Sequence, residues 1–180
     1  MSQLNISEAD ILGFSNGAQT AIEIAIRYPD MVNRLILASA FYKRDAAAPQ
    51  FWDGFEKAVW SDMPLPLQEG YLAANNSEEG LLNMFNKDVK RMKTFTGWTD
   101  EQIKTIQAPT LVLSGSIDVA SLEHTLKMYR TIPDAELAIL PGGHGTYLGT
   151  IESITNGVWT STYGKDVIEV FLNKPKSLKC

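Results

Sequence analysis

The sequence predicts an α/β fold, with a parallel sheet of about four strands and helices packed against it. Short apolar runs rich in Val, Ile and Leu alternate with segments of helical periodicity, an order that favours parallel strands joined by helices. The predicted strands cover residues 9–14, 32–39, 110–114 and 135–140. The chain has 180 residues, 44% of them hydrophobic, which is enough for a substantial core.

The first predicted strand leads directly into a helix. The strand ends within Gly-Phe-Ser-Asn-Gly at residues 13–17, and a helical pattern then continues until Pro29 ends it. The apolar face of this helix comprises Ala21, Ile22, Ala25 and Ile26. The second strand, at 32–39, completes a strand–helix–strand unit, which places the two strands parallel to each other.

Residues 42–100 differ from the segments on either side, and we expect a helical insertion there. Three prolines separate its helical patterns, and aromatic residues are frequent. Leu81, Phe85, Val89 and Met92 recur at helical spacing, which places them on one face of a helix. This stripe either packs against neighbouring helices or lines an apolar substrate pocket, and both roles can hold together.

Strand and helix alternate again after the insertion. Thr99 with Gln102 forms a capping-box pattern, and Ser121 is placed to cap a further helix. A loop over 145–162 and a closing helix over 166–172 follow the fourth strand. The predicted division is a first core segment at 1–41, the helical insertion at 42–100 and a second core segment at 101–180.

Composition argues against several kinds of partner. A net charge of −5 offers no positive field for nucleic acid. No apolar run approaches the roughly 18 residues of a membrane span, and the first eight residues do not resemble a signal peptide. We expect no cofactor and no metal, because the sequence lacks a nucleotide-binding glycine pattern and a ligand cluster. Cys180, the single cysteine, favours the reducing cytoplasm.

Residues 13–17 have the form G-x-S-x-G between a predicted strand and a predicted helix. A very sharp turn at this position crowds the backbone and presents the serine, so glycine is favoured on both sides. The backbone N–H of Asn16 would lie at a helix N-terminus, where it can stabilise an oxyanion. Ser15 is therefore the candidate nucleophile; the alternative is a tight turn in which the serine only caps the helix.

A serine hydroxyl needs a base, and the chain offers two histidines. His144 stands in a glycine-rich loop just after the fourth strand, whereas His124 lies inside a predicted helix. Bases are more often found on loops at strand ends, so we expect His144 to be the base and His124 to serve in packing or on the helix surface.

The third member of such a site is a carboxylate that orients the imidazole. Asp118 follows the third strand at the same predicted edge of the sheet, whereas its rival Glu123 falls inside a helix. Asp118 could instead be a turn or capping residue. The chain order Ser15, Asp118, His144 matches one known arrangement of serine hydrolases and differs from the others.

These segments resemble the α/β-hydrolase superfamily, in its branch of esterase-like and C–C-hydrolase-like enzymes with a helical cap. The resemblance is carried by residues 9–17, 27–37, 108–118 and 138–144. It implies a partial α/β-hydrolase fold with Ser15 as nucleophile, Asp118 as acid, His144 as base and a cap at 42–100. The predicted function is hydrolysis of a carboxylic ester or similar small acyl substrate.

The resemblance departs from the family at one point. Several strands normally precede the nucleophile, and the loop that donates the first oxyanion N–H lies among them, but only 14 residues precede Ser15 here. The strand at 9–14 would then be an exposed edge, so we expect a homodimer formed near residues 9–28. Two alternatives remain: an inactive remnant that serves as an interaction module, and an acyltransferase or perhydrolase with the same triad.

Overall fold

The computed structural model describes residues 2–150 and 163–175. They form two compact units, one comprising Ala47–Gly97 and the other the described residues on either side of it. The unit Ala47–Gly97 lies within the predicted insertion at 42–100, while the exact three-part division stays a prediction. Most of the predicted loop at 145–162 lies outside the described residues.

The core unit is built on a four-stranded sheet in which every neighbouring pair is parallel. Its strands, in spatial order, are β1 (Ala9–Phe14), β2 (Val32–Ala38), β3 (Thr110–Gly115) and β4 (Ala135–Leu140). The predicted fold class is therefore confirmed. Since all four strands run in the same direction, their carboxyl ends meet at one edge of the sheet.

Seven α-helices lie in the described part of the chain, and none of them is long and apolar enough to cross a membrane. They are α1 (Asn16–Arg27), α2 (Pro49–Lys57), α3 (Leu65–Ala74), α4 (Glu78–Lys93), α5 (Asp100–Ile103), α6 (Leu122–Thr131) and α7 (Tyr163–Leu172). The predicted caps are present: Ser121 accepts the His124 N–H, and Thr99 forms a capping box with Gln102. The closing helix α7 begins three residues before its predicted start.

The alternation of side chains along the strands divides the core into two layers. Leu35 and Leu37 of β2 pack with the buried face of α1, as predicted for its apolar stripe. Ile36 and Ala38 face the other way and pack with Tyr147 and with Phe171 of α7. The two central strands are thus covered on both faces, which explains why their sequences are apolar without alternation.

The first strand β1 forms an edge of the described sheet and is only partly covered. Leu12 in the strand is 48% exposed, and Leu4 and Ile6 just before it are also exposed. The backbone of β1 pairs with β2 on one side only. The described structure therefore has an apolar, open strand edge beside the βα turn.

The turn from β1 into α1 is sharp enough to make one glycine necessary. A Cβ atom on Gly13 would lie 2.5 Å from both the Ala18 Cα and the Gly17 carbonyl oxygen. Gly17, by contrast, has open space around it. The sequence-based expectation that the turn needs glycine on both sides is therefore wrong for Gly17, because the crowding falls only where the strand meets the helix.

Alanine substitutions at these two glycines should have opposite consequences. We expect Gly13→Ala to lower the free energy of unfolding by about 1–3 kcal/mol, because backbone atoms must move to admit the methyl group. Gly17→Ala should be neutral or stabilising by up to about 1 kcal/mol, since it lies in the first turn of α1. Urea unfolding of both variants checks this. Equal midpoints for Gly13→Ala and the unmodified chain would contradict it.

Candidate active site

The βα turn holds Ser15 in a backbone conformation that side chains seldom adopt. Its φ is 51°, and its N–H donates to the Ala38 carbonyl at the end of β2 over 2.9 Å. The Ser15 carbonyl accepts the Ala18 N–H at 3.0 Å, which joins the turn to the first turn of α1. Such strain is typical of functional sites and here aims the hydroxyl away from the strand.

The structure brings together the three side chains that the sequence singled out. His144 Nε2 lies 2.9 Å from Ser15 Oγ, and His144 Nδ1 lies 2.7 Å from Asp118 Oδ1. An ionised carboxylate can only accept, so Nδ1 carries the proton and Nε2 is left to accept the serine hydroxyl. This arrangement suits transfer of the serine proton to the imidazole.

Asp118 is the most enclosed member of the group. Its side chain has no exposed surface, whereas that of His144 is 26% exposed. Burial alone would raise its pKa, but hydrogen bonds from His144, Ser39 and the Gly115 N–H outweigh burial and lower the pKa to about 2. The carboxylate is therefore ionised at neutral pH and poised to stabilise a protonated imidazole.

Backbone contacts fix the loop that carries His144 against the loop that carries Asp118. The Ile117 N–H donates to the Gly142 carbonyl at 3.0 Å, and the Gly142 N–H donates to Ser116 Oγ at 3.3 Å. A Cβ on Gly115 would lie 2.6 Å from the Gly142 oxygen, so glycine at the end of β3 permits this approach. The two loops thus form one connected structure at the sheet edge.

The Phe14 ring, next to Ser15, also packs against the imidazole, with 4.8 Å between the ring centroids. Its position one residue before the nucleophile couples the base to the βα turn. Packing of this kind restricts the rotation of the His144 ring and so supports the distance to Ser15 Oγ.

The site contains two further residues, Ser39 and Tyr147, that the sequence analysis did not single out. Ser39 Oγ lies 2.6 Å from Asp118 Oδ2 and 2.6 Å from the Tyr147 hydroxyl. Ser39 directly follows β2, so the strand-end argument used for Asp118 could have included it. Tyr147 had no comparable signal beyond its place three residues after His144.

The rejected alternatives lie elsewhere in the core unit. His124 is buried and its Nε2 accepts the Tyr42 N–H at 3.2 Å, while burial lowers its pKa to about 4. It is therefore a neutral packing histidine at pH 7, one of the two roles expected for it. Glu123 lies in the first turn of α6, outside the hydrogen-bonded group around His144.

Asn16 is the first residue of α1, so its backbone N–H lies at the positive end of the helix dipole and directly after Ser15. This is the position predicted for an oxyanion donor. Within residues 2–150 and 163–175, no group of three or more His, Cys, Asp or Glu side chains is arranged to hold a metal ion.

The unit Ala47–Gly97 contains an apolar pocket of about 420 Å³ formed by its own helices. The predicted stripe of α4 divides between two environments. Leu81 and Met92 are buried, whereas Phe85 and Val89 are partly exposed and line the pocket. The stripe therefore contributes both to packing and to an apolar pocket, and a substrate role for that pocket stays a prediction.

Comparison with known proteins points to hydrolases, although no protein-family model matches the chain. It is 25% identical over 165 residues to RutD of Caulobacter sp. (strain K31), which carries a provisional carbamate hydrolase name; the match covers 81% of this chain and 62% of that protein. It is 26% identical over 163 residues to the 2-hydroxy-6-oxo-2,4-heptadienoate hydrolase of Pseudomonas putida, covering 77% and 57%. The chain thus spans about three-fifths of the length of these relatives.

Solved structures agree with these sequence matches. The meta-cleavage product hydrolase CumD from Pseudomonas fluorescens IP01 superposes with a TM-score of 0.67 at 25% identity, covering 96% of this chain and 67% of that one. The enol-lactonase from Burkholderia xenovorans LB400 gives 0.64 at 19% identity, covering 97% and 69%, and supports the fold alone. These names agree with the predicted hydrolase class. The chain therefore carries a partial α/β-hydrolase fold, as its strand-end motifs predicted, and the relatives that it resembles in sequence are named hydrolases.

Proposed function

We propose that this chain is a serine hydrolase that uses Ser15 as nucleophile, His144 as general base and Asp118 as the orienting acid. The observation that carries the proposal is the continuous chain of hydrogen bonds from Ser15 Oγ through the imidazole to a fully buried carboxylate. The proposal is also supported by the relatives, which are named hydrolases.

The proposed reaction is acyl transfer to water in two steps. Ser15 Oγ attacks the carbonyl carbon while His144 Nε2 takes the hydroxyl proton, and the oxyanion forms near the Asn16 N–H. The C–O bond to the leaving alcohol then breaks, and the imidazolium gives the alcohol its proton. Water, deprotonated by His144, then attacks the acyl carbon. The bond from this carbon to Ser15 Oγ breaks, the imidazolium returns its proton to Ser15 Oγ, and the carboxylic acid leaves. Asp118 stays ionised throughout, because its pKa of about 2 lies far below neutral pH.

A carboxylic ester with an apolar acyl group is the proposed substrate class. The names of the sequence relatives include a carbamate and 2-hydroxy-6-oxo-2,4-heptadienoate as substrates, and both of these contain a carbonyl group that a nucleophile can attack. We propose that the unit Ala47–Gly97 sets the size of the acyl group, as predicted for the cap, and its apolar pocket supports this role.

Two alternatives from the sequence analysis stay open. The first is a catalytically weak remnant that serves as an interaction module. The second alternative is transfer of the acyl group to an alcohol, thiol or peroxide, which product analysis with competing nucleophiles distinguishes from hydrolysis.

A fluorophosphonate probe tests the proposed function directly. We expect one phosphonate per chain, bound to Ser15, and no labelling of Ser15→Ala. Asp118→Asn should react about 10³–10⁴ times more slowly, because the imidazole loses its orienting carboxylate. Intact-protein mass spectrometry with peptide mapping measures all three.

The matched control is Ser61→Ala, which removes an exposed serine from the unit Ala47–Gly97 and should label normally. Folded wild-type chain that resists the probe would contradict the hydrolase and favour the remnant.

We also propose that the chain forms a homodimer through the open edge near residues 9–28. The partly exposed strand β1, with Leu12 and the preceding Leu4 and Ile6, supports this contact. Light scattering at micromolar concentration should give a dimer mass. Leu12→Lys, which places a charge on the edge, should shift the mass to that of the monomer. A monomeric wild type would contradict the proposal.

A further inference from the structure

The end of β2 places a second serine beside the candidate triad. Ser39 directly follows the strand, is 1% exposed, and has a positive φ of 50°, close to the φ of 51° at Ser15. Its N–H donates to the Leu113 carbonyl of β3 at 2.8 Å. The backbone of the turn is thus held by the sheet itself, and the side chain is not required for that bond.

The hydroxyl of Ser39 lies between two buried groups. Its Oγ is 2.6 Å from Asp118 Oδ2 and 2.6 Å from the Tyr147 hydroxyl, and Tyr147 has no exposed surface. The Tyr147 hydroxyl also lies 3.3 Å from the Leu113 carbonyl, a longer and weaker contact. Water has no access to the fully buried end of this cluster, so its protons must be shared among these groups.

The number of available protons determines which group donates and which accepts in each hydrogen bond of the cluster. The ionised Asp118 carboxylate has no proton to give, so the hydroxyl hydrogen of Ser39 is committed to Asp118 Oδ2. Ser39 Oγ is then an acceptor toward its other neighbour, and Tyr147 donates to it. Oδ2 therefore accepts the Ser39 hydroxyl at 2.6 Å, together with the Gly115 N–H at 3.1 Å and a longer contact of 3.4 Å from Ser114 Oγ. Oδ1 accepts the imidazole N–H and the Val119 N–H, at 2.7 Å each.

We propose that Ser39 and Tyr147 are positioning residues that hold the Asp118 carboxylate in the orientation His144 needs. This inference rests on the proposed function, since it concerns the acid of the same triad. Neither hydroxyl touches the reacting atoms. Their action is to fix Oδ2, so that the carboxylate cannot rotate and Oδ1 stays directed at His144 Nδ1.

The position of Tyr147 extends this restraint to the base. It lies three residues after His144, in a one-turn helix at Thr146–Leu148 that packs against α7. Its hydroxyl reaches the cluster while its backbone belongs to the loop of the base. The tyrosine thereby connects the histidine loop to the acid through Ser39, in addition to the Nδ1–Oδ1 bond and the contacts of Gly142 with the loop of Asp118.

Two substitutions at residue 39 separate positioning from folding. Ser39→Ala removes the hydroxyl and keeps the strained backbone, whereas Ser39→Gly removes the hydroxyl and relieves the strain. The glycine variant should therefore unfold at the higher temperature. If the hydroxyl positions Asp118, both variants should react with the fluorophosphonate about tenfold more slowly than wild type, despite their different stabilities.

Tyr147→Phe provides the test at the other end of the cluster. It keeps the buried ring and removes only the donor to Ser39, so its rate should fall about threefold, less than in the residue 39 variants. An effect that followed thermal stability, with Ser39→Gly reacting like wild type, would overturn the proposal and show a purely structural role.

A readout that does not need catalysis keeps this test separate from the proposed function. The low-field proton resonance of His144 Nδ1–H, identified by its loss in His144→Gln, reports the bond to Asp118. We expect Ser39→Ala and Ser39→Gly to move it toward higher field. An unchanged resonance would overturn the positioning role even if labelling showed Ser15 to be reactive. Failure of folded wild-type chain to label would contradict the hydrolase instead.

Discussion

The geometry of the candidate site depends on one buried negative charge, the carboxylate of Asp118. An ionised group without solvent is costly unless hydrogen-bond donors surround it, and removing one partner of such a group typically costs several kcal/mol. Here donors from three loops converge on it: the imidazole of His144, the hydroxyl of Ser39 and backbone N–H groups of its own loop. The parallel sheet brings the three strand ends to one edge, and the hydrogen bonds to this charge connect the loops that follow them.

The requirement for these donors explains the strained and crowded backbone around the site. Ser15 and Ser39 both adopt positive φ angles at neighbouring strand ends, at a cost of about 1–3 kcal/mol each. One directs its hydroxyl toward the base and the other toward the acid. Gly115 lets the histidine loop approach within contact of β3. The parallel sheet supplies the rigid frame against which this strain is held.

The strands, the helix caps and the triad candidates could be predicted because each depends on local pattern. Ser15, Asp118 and His144 all follow apolar runs, and parallel strands bring their carboxyl ends to one edge. Ser39 obeys the same rule, but serine after a strand is common, and its left-handed φ and buried partners arise only from tertiary packing. The role of Tyr147 depends on its contact with Ser39, a residue more than 100 positions away in the sequence. No local sequence pattern can predict such a contact.

The role of Gly17 and the start of helix α7 differ from what the sequence predicted. Gly17 belongs to the G-x-S-x-G pattern, yet the steric need for glycine falls on Gly13 alone, because only that residue meets the backbone of α1. The helix α7 begins at Tyr163, three residues before the start that the apolar pattern at 166–172 predicted. Thus the sequence pattern predicted the three candidate triad residues that meet at the sheet edge, whereas the close contacts around them required coordinates.

The central claim is that Ser15, His144 and Asp118 act as one unit, and a double-substitution cycle on ester hydrolysis measures it most directly. Rates are needed for the wild type, Ser15→Ala, Asp118→Asn and the double variant. The account predicts that the double variant is no slower than Ser15→Ala alone, because the acid has nothing to assist once the nucleophile is gone. Losses that multiply in the double variant, or a wild type no faster than Ser15→Ala, would contradict it.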